Sequence, residues 1–340
     1  MTVIVPCRNE RRYIASCLDS ILATAYPADR IEVLVVDGAS DDGTRDVVRA
    51  YAAREPRVRL LDNPRRSAPA ALNIGIRAAR GEIIARMDAH VVYPPQYLPV
   101  LVDALLETGA DNVGCPIVTL PADESPTARA IACALSHPFG VGNSWFRIGA
   151  AVRREVDTVP FGCFRREVFD RVGLFDEELI RNQDDEFNFR LIRNGGRVLL
   201  VPDVTAQYYA RASLRHVARM YYQYGWYKPL VARKVGRIMT ARQLVPAAFL
   251  ATLVSLTLLA LAWPPAVVAL VALLATYAAA DLAAALTARA RLGLRGRALL
   301  ALVFPLIHFG YGLGSLAGAA HWLLHPRRQP RTAEVVPLSR

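Results

Sequence analysis

Cysteine is scarce in this chain, and the spacing of its cysteines is not that of a metal or redox motif. The 340 residues contain five cysteines, none in a C-x-x-C arrangement. This pattern disfavours a disulfide scaffold and indicates reduced, mostly buried thiols in a domain that faces the cytosol. No G-x-G-x-x-G follows the first apolar segment, which argues against a dinucleotide-dependent oxidoreductase. A secretory signal peptide is not expected either, because Pro6 interrupts the short apolar run that begins the chain.

Acidic residues are outnumbered by basic ones. The chain has 41 Lys and Arg against 30 Asp and Glu, a net charge of +11, and 53% hydrophobic residues. Basic charge alone would suit nucleic acid or an anionic membrane surface. Here the arginines flank long apolar runs and do not cover one face of a soluble domain, so the sequence favours a membrane and predicts no nucleic-acid binding.

Charge is nearly absent from three runs near the C-terminus, residues 246–262, 266–286 and 298–324. Each is close to the roughly 20 residues that a helix needs to cross a bilayer. Arginines before the first and third runs predict cytosolic flanks, so the first two runs would form a hairpin. The third run either spans the membrane or is broken at Pro305 and the glycines of residues 310–314 into a re-entrant hairpin; the sequence leaves both open.

The first 205 residues alternate between strand-like and helix-like segments. The pattern predicts strands at residues 3–5, 31–36, 58–61 and 83–87, and helices at 10–23, 46–54 and 68–79. This order predicts an α/β fold with an open, mostly parallel sheet, flanking helices and ligand sites at the carboxyl ends of the strands. We therefore expect a catalytic or binding domain at residues 1–205, an amphipathic interfacial linker at 206–242, a transmembrane region at 243–325 and a basic tail at 326–340.

Polar side chains follow the ends of the predicted strands: Asn9 and Glu10, then Asp37, then Asp88. In Asp88-Ala89-His90, the first and third residues face the same way on an extended segment and can converge on one divalent cation. Such an ion can neutralise a diphosphate. The alternative is a strand end followed by a solvated aspartate.

A second acidic cluster, Gln183-Asp184-Asp185-Glu186, lies about a hundred residues later. One of its carboxylates can act as a base. Alternatively, the cluster is a helix N-terminus, where negative charge is favourable. Glu186 and Arg190 are four residues apart, which predicts an ion pair along one helical face.

Four motifs in order carry a resemblance: residues 3–10, 35–44, 88–90, and 183–186 with Arg190. The series resembles the family-two glycosyltransferases, inverting enzymes with the GT-A nucleotide-sugar fold, over about residues 1–205. Within that family, the Asp-Ala-His triplet and residues 222–228 resemble succinoglycan-type exopolysaccharide glucosyltransferases.

The resemblance implies a role for each motif. Pro6, Asn9 and Glu10 would line the nucleoside pocket, and Asp37 would accept a hydrogen bond from the uracil N–H. The alternative for Asp37 is a plain turn acid after a strand. Asp42 and Thr44 are expected to cap the next helix.

The resemblance also implies a metal and a base. Asp88 and His90 would bind Mn²⁺ or Mg²⁺; the family usually has Asp at the third position, and an imidazole there favours Mn²⁺. His90 contacting the diphosphate directly is the alternative. Asp184 would be the general base, with Gln183 where the family more often has Glu. Further candidates for acceptor or diphosphate contacts are Arg65, Arg66, Arg165, Arg166 and Asp185.

Together these features predict a multi-pass protein of the inner (plasma) membrane with a cytoplasmic catalytic domain. It would transfer a hexose from a UDP-sugar, with UDP-glucose favoured, to a polyprenyl-diphosphate-linked glycan in exopolysaccharide or cell-surface glycan biosynthesis, with membrane lipid and other assembly proteins as partners. Residues 221–228 would form a helix on the membrane surface. One alternative is a processive synthase, disfavoured because Gln223 is followed by Tyr-Gly-Trp and not by the Gln-x-x-Arg-Trp motif of those enzymes. Another is a non-catalytic, membrane-bound nucleotide-sugar binder that organises a biosynthetic complex.

Overall fold

The computed structural model describes residues 1–210, 212–238 and 240–325. The predicted basic tail, residues 326–340, lies outside the described residues. The chain divides into two compact units. The first consists of Met1–Val118 and Ile148–Tyr209, and the second of Thr119–Arg147 and the described residues from Ala210 onward. The predicted domain at residues 1–205 did not anticipate that residues 119–147 belong with the C-terminal part.

The first unit is built on an eight-stranded sheet in the order β3-β2-β1-β4-β9-β6-β10-β8. Its strands are β1 (Thr2–Cys7), β2 (Glu32–Asp37), β3 (Val58–Asp62), β4 (Ile83–Arg86), β6 (Asn112–Gly114), β8 (Arg154–Glu155), β9 (Cys163–Arg165) and β10 (Val198–Leu200). A smaller sheet includes β5 (Val91–Val92) paired antiparallel with β11 (Ala206–Tyr209). Strand β7 (Ile117–Leu120) straddles the division between the units.

Helices flank the large sheet of the first unit. They are α1 (Ile14–Leu22), α2 (Thr44–Arg54), α3 (Ala68–Ala78), α4 (Tyr97–Thr108), α8 (Glu167–Val172) and α9 (Gln183–Arg193), with a short 3₁₀ helix at Ala28–Arg30. The predicted α/β fold class is confirmed: β1 pairs in parallel with both β2 and β4, and β2 pairs in parallel with β3. Antiparallel β9, between β4 and β6, makes the sheet mixed.

The apolar segments predicted as strands in the first unit are buried in the structure. Val3, Ile4 and Val5 of β1 and Val33–Val36 of β2 are completely buried, as expected of central strands covered on both faces. The predicted strands and helices up to residue 87 agree with the structure to within a few residues. The largest difference is at α1, which begins at Ile14 because residues 10–13 form a hydrogen-bonded turn onto the Glu10 carbonyl.

The second unit is helical. Its helices are α5 (Pro126–Ala134), α6 (Pro138–Val141), α7 (Trp145–Ile148, whose last residue belongs to the first unit), α10 (Leu214–Val235), α11 (Val245–Ala260), α12 (Pro265–Thr287) and α13 (Leu294–Leu324), with a 3₁₀ helix at Ala241–Gln243. Within the described residues, α12 and α13 are long and apolar enough to cross a membrane, whereas α11 has only 16 residues. Residues 206–209, assigned to the linker in the sequence analysis, form strand β11.

Helix α13 is continuous through Pro305, so the re-entrant hairpin left open by the sequence is not formed. The glycines of α13 allow close packing against α10 and do not break the helix. A Cβ atom on Gly314 would lie 2.1 Å from the carbonyl oxygen of Tyr222 in α10, and one on Gly318 would lie 2.3 Å from that of Trp226. Small residues at a spacing of four let two helix backbones approach closely. On the facing helix, a Cβ on Gly225 would lie 2.1 Å from the Tyr311 carbonyl oxygen.

Candidate active site

The guanidinium group of Arg86 joins the two acidic motifs singled out from the sequence. Its Nε donates to Asp88 Oδ1 at 3.0 Å and its Nη2 to Asp88 Oδ2 at 3.3 Å. Its Nη1 forms an ion pair with Asp184 Oδ1. The side chain of Arg86 is 10% exposed, and those of Asp88 and Asp184 are 19% and 30% exposed. One buried cation therefore serves two carboxylates that lie almost a hundred residues apart in the chain.

Each member of this network is positioned by its secondary structure. Arg86 is the last residue of β4, and Asp88 lies two residues after it. The Asp88 backbone is fixed by Tyr93, whose hydroxyl oxygen accepts a hydrogen bond from the Asp88 N–H at 2.7 Å. Asp184 lies in the first turn of α9, where the positive end of the helix dipole favours a carboxylate.

Burial and neighbouring charges shift the pKa values of Asp184 and Arg86 in opposite directions. Burial raises the pKa of Asp184, and the neighbouring Arg86 lowers it only in part, so the pKa lies above the ordinary value of 3.8. For Arg86, burial disfavours the charged form, but the Asp184 and Asp88 carboxylates outweigh it and raise the pKa above its ordinary value. Asp184 is consequently a stronger base than an exposed aspartate, beside a guanidinium that stays charged.

Glu10 and His90, predicted for two different motifs, lie together. The distance between His90 Nδ1 and Glu10 Oε1 is 3.5 Å, and both side chains are largely buried. The His90 ring also packs edge-on against Tyr208 of β11, with ring centroids 5.5 Å apart. The loop after β1 and the Asp-Ala-His triplet therefore contribute to one site.

Asp88 and His90 stay the predicted ligands of a divalent cation. The expectation that they lie on an extended segment is wrong, because β4 ends at Arg86 and a turn follows at Ala89 and His90. Their side chains contact different partners, Asp88 with Arg86 and His90 with Glu10. Among the described residues, no group of three or more His, Cys, Asp or Glu side chains is arranged to hold a metal. A two-donor set still fits Mg²⁺ or Mn²⁺ in a diphosphate site, because such ions are held by one or two protein ligands together with substrate phosphates. Both Asp88 oxygens are paired with Arg86, so binding a cation would require at least one of these hydrogen bonds to be exchanged.

Asp37, the candidate for uracil recognition, is completely buried at the end of β2. Its Oδ1 accepts hydrogen bonds from Arg45 Nη1 at 2.9 Å and from the Ser40 N–H at 3.0 Å. Its Oδ2 accepts from the Ser40 hydroxyl and lies 3.7 Å from the Cys7 thiol. A contact with uracil stays a prediction, and it would need one of these partners to move.

Asn9 holds the loop after β1 against the loop after β2. It adopts a positive φ of 57°, which asparagine tolerates better than most residues. Its amide group forms two hydrogen bonds with Asp41, at 2.8 and 3.1 Å. Pro6 lies beside Val36 in the β1–β2 register. The N-cap of α2 is Gly43, and Asp42, one residue before it, accepts a hydrogen bond from the Thr44 N–H at 2.9 Å. Thr44 does not cap the helix as expected, because it is the first helical residue and its hydroxyl accepts from the Glu10 N–H at 2.9 Å.

Three of the other predicted contact residues, Arg65, Arg165 and Arg166, have partners outside this network. Arg65 forms an ion pair with Glu177, and Arg66 is exposed with a positive φ of 57°. Arg165 donates to the Leu105 carbonyl at 3.1 Å and Arg166 to the Ala79 carbonyl at 2.6 Å, so both stabilise backbone of the first unit. Asp185 follows Asp184 in the first turn of α9. Roles for these residues at the acceptor or diphosphate stay predictions.

Two sequence expectations of a structural kind are confirmed. Glu186 and Arg190 form a two-pronged ion pair along α9, with distances of 2.8 and 2.9 Å. The cysteines are free, and all but the half-buried Cys133 are buried. Burial raises the pKa of the Cys115 and Cys163 thiols to about 12, so both are protonated at neutral pH.

Sequence reasoning missed Arg86. The available signal was an arginine within an otherwise apolar strand, Ile83-Ile84-Ala85-Arg86-Met87. Arginine is almost never buried unless it is paired, so this position required an acidic partner. Arg45, which bridges Asp37 and Asp62, was missed for a different reason, because an arginine in a helix after a turn resembles a solvated residue.

Comparison with protein families identifies the chain. Residues 2–172 match the family model described as glycosyl transferase family 2. The chain belongs to glycosyltransferase family 2. The resemblance drawn from the four sequence motifs is thereby confirmed, and the Arg86 network lies within a glycosyltransferase.

Two relatives extend the similarity of this glycosyltransferase beyond its N-terminal part. The chain is 33% identical over 248 residues to the succinoglycan biosynthesis protein ExoA of Rhizobium meliloti, covering 72% of this chain and 74% of the relative. It is 28% identical over 242 residues to a dolichyl N-acetyl-α-D-glucosaminyl phosphate 3-β-D-2,3-diacetamido-2,3-dideoxy-β-D-glucuronosyltransferase of Methanococcus voltae, covering 69% of this chain and 74% of the relative.

The fold of the glycosyltransferase has a counterpart among solved structures. A mannosyltransferase from Pyrobaculum calidifontis, solved in complex with GDP-mannose and Mn²⁺, superposes with a TM-score of 0.55 at 24% identity. The match covers 96% of this chain and 87% of the mannosyltransferase. The GT-A fold implied by the sequence motifs is therefore confirmed.

Proposed function

We propose that this glycosyltransferase transfers a hexose, with inversion at the anomeric carbon, from a UDP-sugar to a hydroxyl group of a polyprenyl-diphosphate-linked glycan. UDP-glucose is the favoured donor, and an exopolysaccharide or cell-surface glycan is the favoured product. The product class is supported by the similarity to a succinoglycan biosynthesis protein, and the lipid-linked acceptor by a relative named for a dolichyl-phosphate-linked sugar. Helices α12 and α13 support placement at a membrane.

The observation that carries the catalytic proposal is the shared guanidinium of Arg86. Asp184 takes the proton from the acceptor hydroxyl as that oxygen attacks the anomeric carbon. Its raised pKa makes it a better base, and its place in the first turn of α9 fixes its direction. Arg86 limits the repulsion between the Asp184 and Asp88 carboxylates and orients both.

Asp88 and His90 are the residues that would hold Mn²⁺ or Mg²⁺. When bound, the ion supplies positive charge to the departing diphosphate. Glu10, in contact with His90, keeps the imidazole in place, and Asn9 and Asp37 order the loops on which the nucleoside would lie. Glu10 and Asp88 also contribute negative charge that suits a cation at this position.

The test is UDP release by the detergent-solubilised full chain with UDP-glucose, Mn²⁺ and lipid-linked acceptor. Asp184→Asn should bind UDP normally but lose about 10²–10⁴-fold in transfer rate, the usual contribution of a positioned base. Asp46→Asn is a matched control, because Asp46 also lies in the first turn of a helix but its side chain is 79% exposed.

Two outcomes would contradict the proposal. Near-normal transfer by Asp184→Asn would refute the base assignment. UDP binding without release from any member of a nucleotide-sugar panel, with every lipid-linked acceptor tried, would favour the non-catalytic binder. Release from GDP-mannose but not from UDP-sugars would refute the proposed donor class.

A further inference from the structure

The second unit contains an apolar pocket that the proposed chemistry does not use. Its volume is about 430 Å³, within the range of about 300–1,000 Å³ that is typical of ligand sites. Its walls come from α6, the 3₁₀ helix at Ala241–Gln243, the start of α11 and the middle of α13, and Tyr221 of α10 and Tyr277 of α12 also contribute. All the lining residues belong to the second unit.

The wall of the pocket is an aromatic cluster. Phe249 of α11 stacks on Tyr277 of α12 with ring centroids 4.9 Å apart. Phe139 of α6 packs edge-on against His308 of α13 at 5.1 Å. Ile307 adds an aliphatic surface. Such a wall favours hydrocarbon and offers little to a sugar or a nucleobase, which require several hydrogen-bonding partners.

His308 does not make the wall polar, because both of its ring nitrogens are engaged within the protein. Nε2 lies 2.7 Å from the Phe139 carbonyl oxygen, and Nδ1 lies 2.8 Å from the Tyr277 hydroxyl. A carbonyl oxygen can only accept, so Nε2 carries the hydrogen and Nδ1 accepts from the tyrosine. Both polar atoms of the imidazole are therefore satisfied within the protein.

The charge at this pocket is that of Arg242. Of the described residues that line it, Arg242 alone carries a full charge at neutral pH. Its Nη1 donates to the Asn143 carbonyl oxygen at 3.2 Å and to Asn143 Oδ1 at 3.1 Å. These two hydrogen bonds with Asn143 hold the guanidinium group beside the pocket. Arginine is well suited to phosphate because its N–H groups match the oxygens of the anion.

We propose that this pocket binds the head-proximal isoprene units of a lipid-linked acceptor, with Arg242 at the lipid phosphate. The identity of this lipid as the acceptor rests on the proposed function. An isoprene unit has five carbon atoms. If each carbon takes up roughly the 30 Å³ of a water molecule, the volume of the pocket accommodates about three isoprene units. The occupant thus combines a single apolar chain with an anionic head, matching the aromatic wall and the one charged residue.

The test uses photo-crosslinking of the full chain in phosphatidylcholine nanodiscs. The probe is a polyprenyl phosphate with a diazirine on its second isoprene unit, and mass spectrometry locates the label. We expect label on peptides that contain Phe139, Phe249 or Ile307, and competition by unlabelled polyprenyl phosphate. The uncharged prenol should compete less well with wild type, and Arg242→Gln should remove that difference.

Val245→Trp fills the pocket from a lining position that is 63% exposed, so it should not disturb folding. We expect about tenfold less labelling, a free-energy change of about 1.4 kcal/mol, with unchanged UDP binding. Val268→Trp is the matched control, since Val268 is 71% exposed on α12 and does not line the pocket.

Three results would overturn the inference, and they are separable from failure of the proposed function. Label outside the pocket, with normal transfer to the lipid acceptor, would refute the pocket and leave the function intact. Equal competition by phosphatidylglycerol would make the pocket a general lipid site. Pocket labelling without transfer to any lipid-linked acceptor would refute the acceptor assignment.

Discussion

Removal of the Arg86 charge is the sharpest test of the network at the candidate active site. Arg86→Met keeps an unbranched side chain of similar length in the last residue of β4 but deletes the guanidinium. The Asp88 and Asp184 carboxylates would then lie in a largely buried site with no shared cation. The variant tests whether this cation is needed for stability as well as for the alignment of the base.

The expected loss of stability follows from the burial of all three side chains, which are at most 30% exposed. Breaking a buried ion pair by removing one partner costs about 3–5 kcal/mol. Proton uptake by the carboxylates limits the cost, because raising the pKa of one aspartate from its ordinary value to neutrality is worth about 4 kcal/mol. We therefore expect a loss of about 3–5 kcal/mol, or about 6–20 °C in Tm.

Calorimetry of the detergent-solubilised full chain provides the measurement. Arg49→Met is the matched control, because Arg49 pairs with Asp46 at 3.1 Å but both side chains are mostly exposed; its loss should be about 0–1 kcal/mol. In an Asp184→Asn background, the effect of Arg86→Met should shrink, since one of the two stranded charges is gone. Equal Tm shifts for Arg86→Met and Arg49→Met would refute the reasoning.

Three further predictions concern the same unit. Asp88→Asn should raise the Mn²⁺ concentration for half-maximal UDP release by about 10–100-fold, and wild-type release that persists in EDTA would contradict a metal role. Glu186→Gln, which weakens the buried pair with Arg190, should cost about 1.5–3 kcal/mol of unfolding free energy with an unchanged donor KM; a raised KM would instead place Glu186 at the ligand. Single-turnover transfer should slow as the pH falls through the pKa of Asp184, because only the ionised carboxylate accepts a proton; burial raises that pKa, so an acid limb at or below 3.8 would contradict the assignment.

The strands and helices of the first unit were predictable because local sequence dictates them. The apolar segments predicted β1 to β4 and the intervening helices to within a few residues. The site roles of the polar residues at the strand ends stay predictions. The pairing of Arg86 with Asp184 was not predictable in the same way, since it depends on a contact between residues 98 positions apart. Only the position of an arginine in an apolar strand hinted that such a partner existed.

The glycines of α13 left the choice between a spanning helix and a re-entrant hairpin open for a related reason. From sequence alone, Gly310, Gly314 and nearby Pro305 suggest a break in the helix. In the structure, the helix is not broken: its glycines are positions where packing against α10 leaves no room for a side chain, and the proline lies within a continuous helix.

Residues 119–147 were placed with the wrong unit. Nothing in their composition shows that the chain leaves the first unit there and returns to it afterwards.

The contact between α10 and α13 reverses the usual logic of alanine scanning. Truncating a side chain normally reveals what a residue contributes, but at Gly225, Gly314 and Gly318 alanine adds a methyl group where a backbone oxygen already lies within 2.3 Å. A scan that skipped glycine would find this helix pair tolerant, although its most demanding positions are those with nothing to remove. In the second unit, the absence of a side chain at these glycines is therefore as specific a requirement as the presence of one elsewhere.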